Sequence, residues 1–220
     1  MQWAILIGAY FLGAVPVGVL VARAKGVDIL KVGSGNIGAT NVWRVMGRGP
    51  GLLCFVLDVL KGLVPVLIAG WWMGLLGGHQ IAPRQAWLWL AVMAAPILGH
   101  MFTPFAGFKG GKGVATGLGA MLGLYPYLTF PALGVFAVWI AAAAVWRYVS
   151  LASCVAALSL PALVFAFAWG TGRAGAPGMV PFYICTGILG ALVVIRHSAN
   201  IRRLIAGTEN RIGTRGPRPP

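Results

Sequence analysis

Three short segments carry polar groups of the kind that grip anions. In the first, Gly35 and Gly38 bracket Asn36, and Ser34, Thr40, Asn41 and Arg44 add side-chain donors. Closely spaced glycines let successive backbone N–H groups converge on one anion. In the second, Lys109-Gly110-Gly111-Lys112-Gly113 opens an apolar stretch, with Thr116 one turn in. Two ammonium groups, small residues and a helix N-terminus with unpaired N–H groups make a phosphate cradle. Lysines alone would suit a membrane anchor, but Gly110, Gly111 and Gly113 at a helix start cost stability and ask for another reason. In the third, His197 and Asn200 are three apart and share a helical face, with Arg203 near that face and Glu209 beyond it. The chemistry these residues suit is the binding of phosphoryl groups, with either His197 or a phosphate oxygen of the substrate as the base.

Two more familiar readings fail on context. Gly33 to Gly38 spells G-x-G-x-x-G with Asp58 twenty residues on, but a dinucleotide site needs a preceding strand and an acid at a strand end, and Asp58 lies inside an apolar run. The lysine loop is not a Walker A motif, because Lys112 is followed by Gly113 rather than Ser or Thr. The acids are Asp28, Asp58 and Glu209. That scarcity argues against a metal site built on carboxylates and against a glycosidase pair, so no metal and no cofactor are expected. Asp58 and Lys61, at i and i+3, are expected to neutralise each other or bind loop backbone. His100 is read as a supporting residue and Glu209 as a partner for nearby arginines. Ser34 has no paired base beside it in sequence, which disfavours a covalent role. Cys54, Cys154 and Cys185 lie in apolar stretches without ligand spacing and read as packing residues.

The elements that position these groups follow from composition. Of 220 residues 59% are apolar and 9% charged, and the mean hydropathy is +0.87, values that place the chain in a membrane. Apolar stretches begin near Trp3, Leu52, Gln85, Tyr127, Leu151 and Met179, with a shorter one over Val114 to Leu124, which makes about seven spans at roughly 20 residues each. Without period-two alternation the spans should be helices. The fold expected is an all-α compact bundle of seven transmembrane helices. Fourteen of the seventeen Lys and Arg fall on one side of that arrangement, so the N-terminus is expected outside and the C-terminus in the cytoplasm. Span 1 lacks a basic n-region and is followed by the positive charge, the reverse of a secretory signal, so it is read as retained. Residues 1–210 read as a single transmembrane catalytic domain, and 211–220 as a basic, disordered cytoplasmic tail. The net charge of +14 lies along a membrane face, which points to membrane lipids and anionic substrates and not to nucleic acid.

Taken together, Ser34-Gly-Asn-Ile-Gly-Ala-Thr-Asn-Val-Trp-Arg44, Gly99-His-Met-Phe with Phe108-Lys-Gly-Gly-Lys-Gly-Val-Ala-Thr116, and His197-x-x-Asn-Ile-x-Arg-Leu204 ending at Glu209 closely resemble the bacterial acyl-phosphate-dependent glycerol-3-phosphate acyltransferases, the PlsY family. Asp58-Val-Leu-Lys-Gly62 resembles that family's second-span pattern. One departure is visible: the family usually has Pro three residues after the motif histidine, where this chain has Thr103 and then Pro104. The chain also lacks any His-x-x-x-x-Asp, the device of the common glycerolipid acyltransferases. The resemblance implies transfer of a fatty acyl group from acyl phosphate to the sn-1 hydroxyl of glycerol 3-phosphate, giving lysophosphatidic acid and phosphate; because an acyl phosphate is already activated, no covalent acyl-enzyme is expected. It implies essential roles for Ser34 and Arg44, a glycerol phosphate region at Lys109, Lys112 and their glycines, and critical roles for His197, Asn200 and Glu209. It further implies a multi-pass protein of the bacterial plasma (inner) membrane with a cytoplasmic active site, and transient contact with the soluble enzyme that forms the acyl phosphate. The rivals are a transporter of a phosphorylated anion, against which the clustering of polar groups at one face and the lack of an internal repeat both speak, and a lipid-binding scaffold, which would not need the Gly-rich loops.

Overall fold

The computed structural model describes residues 2–213, and they form an all-helical bundle. In chain order the helices are α1 (Gln2–Ala14), α2 (Val17–Arg23), α3 (Ala39–Met46), α4 (Arg48–Trp72), α5 (Pro83–Met101), α6 (Val114–Leu122), α7 (Thr129–Trp146), α8 (Val149–Gly170), α9 (Val180–Arg196) and α10 (Ser198–Ile205). Six stretches are long and apolar enough to cross a membrane: Trp3–Arg23, Arg48–Trp72, Pro83–Ala106, Thr129–Trp146, Val149–Gly170 and Pro177–Arg196. The expected span over Val114–Leu124 is the exception. Its helix, α6, has nine residues, about 14 Å of rise, because Gly123 follows Leu122 and Pro126 disfavours helix at the residue before it.

Pro16 divides the first span into α1 and α2, since proline lacks the N–H that would continue the ladder. The break turns the Ala14 and Val15 carbonyls out of the helical pattern, and in a hydrocarbon setting they need donors. Thr103 Oγ1 donates to Ala14 O at 2.6 Å and Lys61 Nζ to Val15 O at 2.9 Å. The threonine that departs from the family pattern therefore ties α1 to the end of α5. It also starts the short 3-10 turn Pro104–Ala106 by accepting the Phe105 N–H.

α5 is the most enclosed span and packs against α1, α4, α6 and α9. Trp89, Leu90, Met93, Ile97 and Met101 on it are buried, together with Tyr127 and Phe182 from neighbouring segments. Between helices in lipid, close packing replaces the hydrophobic effect, and small residues permit it. A Cβ on Gly62 would stand 2.2 Å from the Thr116 carbonyl, and one on Gly119 1.9 Å from the Val59 carbonyl, so α4 and α6 touch backbone to backbone. A separate small core of Val17, Val19, Ala22, Ile29, Ile37, Val42 and Cys54 supports the loop between α2 and α3. Of the segment read as a tail, 214–220 lies outside the described residues. Before it, Ile212 N–H donates to the Arg147 carbonyl at 2.7 Å and its carbonyl accepts from Arg147 Nη2 at 2.9 Å.

Candidate active site

The third segment forms the floor of the site. α9 ends at Arg196, His197 is the joint, and α10 turns Asn200 inward, so both side chains are buried. His197 Nδ1 lies 2.8 Å from the Val193 carbonyl; with the proton on Nδ1, Nε2 is left as an acceptor. Burial first, then the neighbouring Lys112 charge, pushes the His197 pKa down to about 4, so the ring is neutral at physiological pH.

A chain of hydrogen bonds runs outward from Asn200. Its Oδ1 accepts from Lys112 Nζ, and its Nδ2 donates to Glu209 Oε1 at 2.6 Å. The same carboxylate accepts from Ser150 Oγ at 2.9 Å and from Arg203 Nε at 2.8 Å. Burial alone would raise the Glu209 pKa, but the hydrogen bonds from Asn200, Arg203 and Ser150, with the Arg203 charge, hold it below the usual carboxylate range. Lys112 is pushed down to about 8, by burial first; Glu209 opposes the shift, while Arg203 and Arg44 add to it. Arg44 is half-buried, which lowers its pKa, and it too is attracted by Glu209 and repelled by Arg203. One residue from each of the three segments thus lies in the same electrostatic field. Ser150 is absent from the sequence-based candidates. The available signal was a hydroxyl at the start of an apolar span directly after Arg147, on the basic side of the membrane.

The first segment is shaped from within. Asn41, buried at 2% exposure, accepts the Ser34 N–H at 2.8 Å and donates to the Asn36 carbonyl at 2.9 Å and the Val32 carbonyl at 3.2 Å. Asn36 Oδ1 accepts the Gly38 N–H at 2.9 Å. The Asn41 amide is therefore committed to the loop backbone. The Ser34 side chain and Thr40 are exposed, and Gly35 is half-buried in the turn. Asn41→Ala strands three partly buried backbone groups, each worth roughly 1 kcal/mol. Thermal unfolding in detergent should show a loss of about 2 kcal/mol, together with reduced activity.

The second segment lies against the end of α5. Gly111 N–H donates to the His100 carbonyl at 3.0 Å. A Cβ on Gly110 would meet that carbonyl at 2.0 Å, and one on Gly111 would meet His100 Nε2 at 2.1 Å. The sequence reading assigned these glycines to the approach of a phosphate; contact with His100 requires them independently. Gly113 has φ +79 and forms the N-cap of α6, where no side chain caps the helix. The Thr116 hydroxyl is fully buried one turn below. Lys109 is exposed, apart from the network that Lys112 joins. Gly111→Ala should push the loop off His100 and raise the KM for the phosphorylated acceptor about tenfold or more, since about 1.4 kcal/mol of lost ground-state contact is tenfold. Steady-state kinetics with the acceptor varied would read it.

Beneath this loop a charged cluster closes the bundle. Lys61 Nζ stands 2.7 Å from Asp58 Oδ1 and 2.9 Å from His100 Nδ1, and all three side chains are buried. An ion pair with no net charge is the form in which such groups are tolerated at membrane depth. Asp58, Lys61 and His100 thereby hold α4, α5 and the α1/α2 break together under Gly110 and Gly111.

An all-helical bundle with six stretches long and apolar enough to cross a membrane, in which basic and amide side chains gather around Asn200 and Glu209, is that of an integral membrane protein. The chain matches the family model for glycerol-3-phosphate acyltransferase over residues 3–207. It is 46% identical to the glycerol-3-phosphate acyltransferase of Trichlorobacter lovleyi, covering 93% of this chain and 94% of the relative. It is 45% identical to that of Geobacter sulfurreducens, covering 92% and 93%. Two crystal structures of PlsY, an integral membrane glycerol 3-phosphate acyltransferase, superpose on it with TM-scores of 0.80 in the glycerol 3-phosphate form and 0.78 in the lysophosphatidic acid form. Both are 41% identical to this chain, covering 97% of it and 96% of the solved chain. The chain belongs to the glycerol-3-phosphate acyltransferase family, the integral membrane acyltransferases of phospholipid synthesis.

Proposed function

We propose that this protein transfers a fatty acyl group from an acyl phosphate to the sn-1 hydroxyl of glycerol 3-phosphate, releasing lysophosphatidic acid and inorganic phosphate. The observation that carries the reading is the single network in which Lys112, Asn200, Glu209 and Arg203 are joined, with Arg44 in the same field. The solved relatives are described in a glycerol 3-phosphate form and a lysophosphatidic acid form, the acceptor and product of this reaction.

Both substrates carry phosphate. Lys112, Arg44 and Arg203 supply the positive charge, the uncapped start of α6 with Thr116 supplies further donors, and the loop from Ser34 to Asn41 and the glycines Gly110, Gly111 and Gly113 shape the backbone around them. Lys109, exposed at the mouth, adds attraction for incoming anions. Asn200 orients Lys112 and the acceptor. Ser34 contributes its hydroxyl as a phosphate ligand rather than as a nucleophile.

The acceptor hydroxyl attacks the carbonyl carbon of the acyl phosphate, the new ester C–O bond forms, and the bond to the phosphate oxygen breaks. Cationic groups stabilise the developing oxyanion and the departing phosphate, where preorganised donors contribute most. The hydroxyl proton goes to a phosphate oxygen. His197 is neutral and can accept a hydrogen bond from the hydroxyl, but a conjugate acid with a pKa of about 4 holds a proton poorly near neutral pH, where a general base works best with a pKa close to the ambient value. Its part is to orient the hydroxyl. The acyl tail remains in lipid, where burial contributes about 0.8 kcal/mol per CH₂.

The reading includes seven crossings, an outside N-terminus, and a cytoplasmic site at the inner membrane of a bacterium. Its support is the path of α6. Gly113 abuts Met101 at the site end of α5, while Tyr125 O accepts the Gly77 N–H at 3.2 Å, beside the turn that follows α4. The soluble enzyme that makes acyl phosphate is then a transient partner at the cytoplasmic face.

Lys112 sets the pH dependence. Its ammonium is lost as pH rises through about 8, so the free enzyme binds phosphate progressively less well above that point. The KM for glycerol 3-phosphate should climb up to about tenfold per pH unit there, while kcat, measured with the phosphate bound beside the ammonium, stays flatter. Initial rates from pH 6.5 to 9.5, at about half-unit intervals, would show it. The reaction itself is tested by incubating the purified protein in lipid with labelled glycerol 3-phosphate and either acyl phosphate or an acyl thioester. Labelled lysophosphatidic acid from the acyl phosphate is expected; product from the thioester alone would overturn the assignment.

A further inference from the structure

Arg196 closes α9 and belongs to none of the groups assigned so far. A basic residue at a helix end in a membrane ordinarily extends its charge into water. This one turns back onto another segment. Its Nη2 lies 2.8 Å from the Gly111 carbonyl, 3.3 Å from that of Gly110 and 3.4 Å from that of Met101. Its guanidinium rests over the Phe102 ring, 5.4 Å from the centroid. The Met101 carbonyl is one of the acceptors that the end of a helix leaves unpaired.

The geometry restrains both peptides of Gly111. The peptide that precedes it is held on one side by the Gly111 N–H on the His100 carbonyl and on the other by Arg196 at the Gly110 carbonyl. The peptide that follows it has its carbonyl on Arg196, and because a trans peptide is planar, the Lys112 N–H of that peptide points the opposite way. Lys112 then leaves the loop in the direction that brings its Nζ to Asn200.

We propose that Arg196 is a positioning residue: it clamps the backbone of Gly110 and Gly111 so that Lys112 is delivered to the pocket, and it does so without touching substrate. The clamp joins the second segment to the third, since Arg196 directly precedes His197. Its role in catalysis rests on the function proposed above, whereas its hold on the loop does not.

The test therefore has two arms. In the first, R196M and R196K are compared with the parent protein for kcat and for the KM of glycerol 3-phosphate. R196M should raise KM about tenfold with kcat within about threefold, and R196K, which keeps a cationic donor for the carbonyls, should recover most of the loss. In the second, the thiol introduced by K112C is alkylated with a water-soluble maleimide, with and without R196M, and read by mass spectrometry of that peptide. Release of the loop should speed the reaction on the order of tenfold. An unchanged alkylation rate would overturn the clamp. So would a KM unaffected by R196M, or a kcat loss that R196K fails to rescue, the pattern of a group acting directly on substrate. If no acyl transfer is detected in the parent protein, the proposed function fails, and the alkylation arm still decides whether Arg196 holds the loop. Should R196M not fold, R196A, which also removes the donor to the carbonyls, is combined with K112C and alkylated in its place, and a rate equal to that of K112C alone would again count against the clamp.

Discussion

Replacing Lys112 by methionine should remove nearly all acyl transfer while leaving the bundle intact. Lys112 reaches Asn200 from the loop that starts α6, and its charge lies among those of Arg44, Arg203 and Glu209. It is the cation on the amide of the third segment, while Arg203 pairs with the carboxylate. Hydrogen bonds to charged groups contribute roughly 1.5–3 kcal/mol, and truncating one partner of a desolvated charge contact costs about 2–5 kcal/mol. A fall of about 30- to 150-fold in kcat/KM follows from the overlap of those ranges, about 2–3 kcal/mol. The cost to folding should be small, because burial already disfavours the ammonium form and methionine removes that penalty. Kinetics with glycerol 3-phosphate varied, alongside a thermal melt, would separate the two effects. K112R should retain part of the activity and lose the alkaline rise in KM, since arginine stays charged throughout that range.

Changing Glu209 should have the second largest effect, and it should affect stability as well as rate. One buried carboxylate, 5% exposed, accepts from Asn200, Ser150 and Arg203. Glu209→Ala leaves all three donors without that acceptor. Glu209→Gln keeps one oxygen but sets an amide N–H against a donor, so it should be nearly as damaging. Each stranded buried group costs about 1–3 kcal/mol, discounted for Arg203, which is substantially exposed. A stability loss of about 2–4 kcal/mol and a fall of about 10² in kcat/KM are expected, read by thermal unfolding and by steady-state kinetics. The pH dependence has a definite sign. A carboxyl held below the usual range contributes its stabilisation above the unfolded-state value of about 4.3 and loses it as pH falls through the folded value. The Glu209 contribution is therefore intact at neutral pH, and the variants should differ least from the parent in strong acid.

Much of this architecture is legible in the residues, because lipid imposes simple rules. Apolar runs of sufficient length become helices, and the basic segments collect at one face, so the long spans and the three polar segments follow directly from composition. α6 is harder, since its run of apolar residues is interrupted by Gly123 and Pro126, and its close fit to α4 depends on Gly62 and Gly119 meeting carbonyls across the interface. Side-chain roles are harder still where a residue type serves two purposes. Asn41 has the chemistry of an anion ligand, yet its amide is committed to Ser34, Val32 and Asn36. Gly110 and Gly111 read as space for a phosphate, yet His100 occupies the position where their side chains would be. Ser150 looks like any small hydroxyl residue in a span until the chain returns some sixty residues later with Glu209. Such pairings join residues distant in sequence, and neither partner announces the other. The same holds for Thr103, whose hydroxyl serves a carbonyl freed by Pro16 in a different helix.

The central claim is that three separated segments build one pocket for glycerol 3-phosphate. It is tested most directly by equilibrium binding of labelled glycerol 3-phosphate, without acyl donor, to the purified protein and to three variants, one from each segment: R44M, K112M and N200A. Each should weaken binding by about tenfold or more, because each removes a donor from the same ligand. Affinity unchanged from the parent in any one of the three, with the fold intact, would contradict a shared pocket.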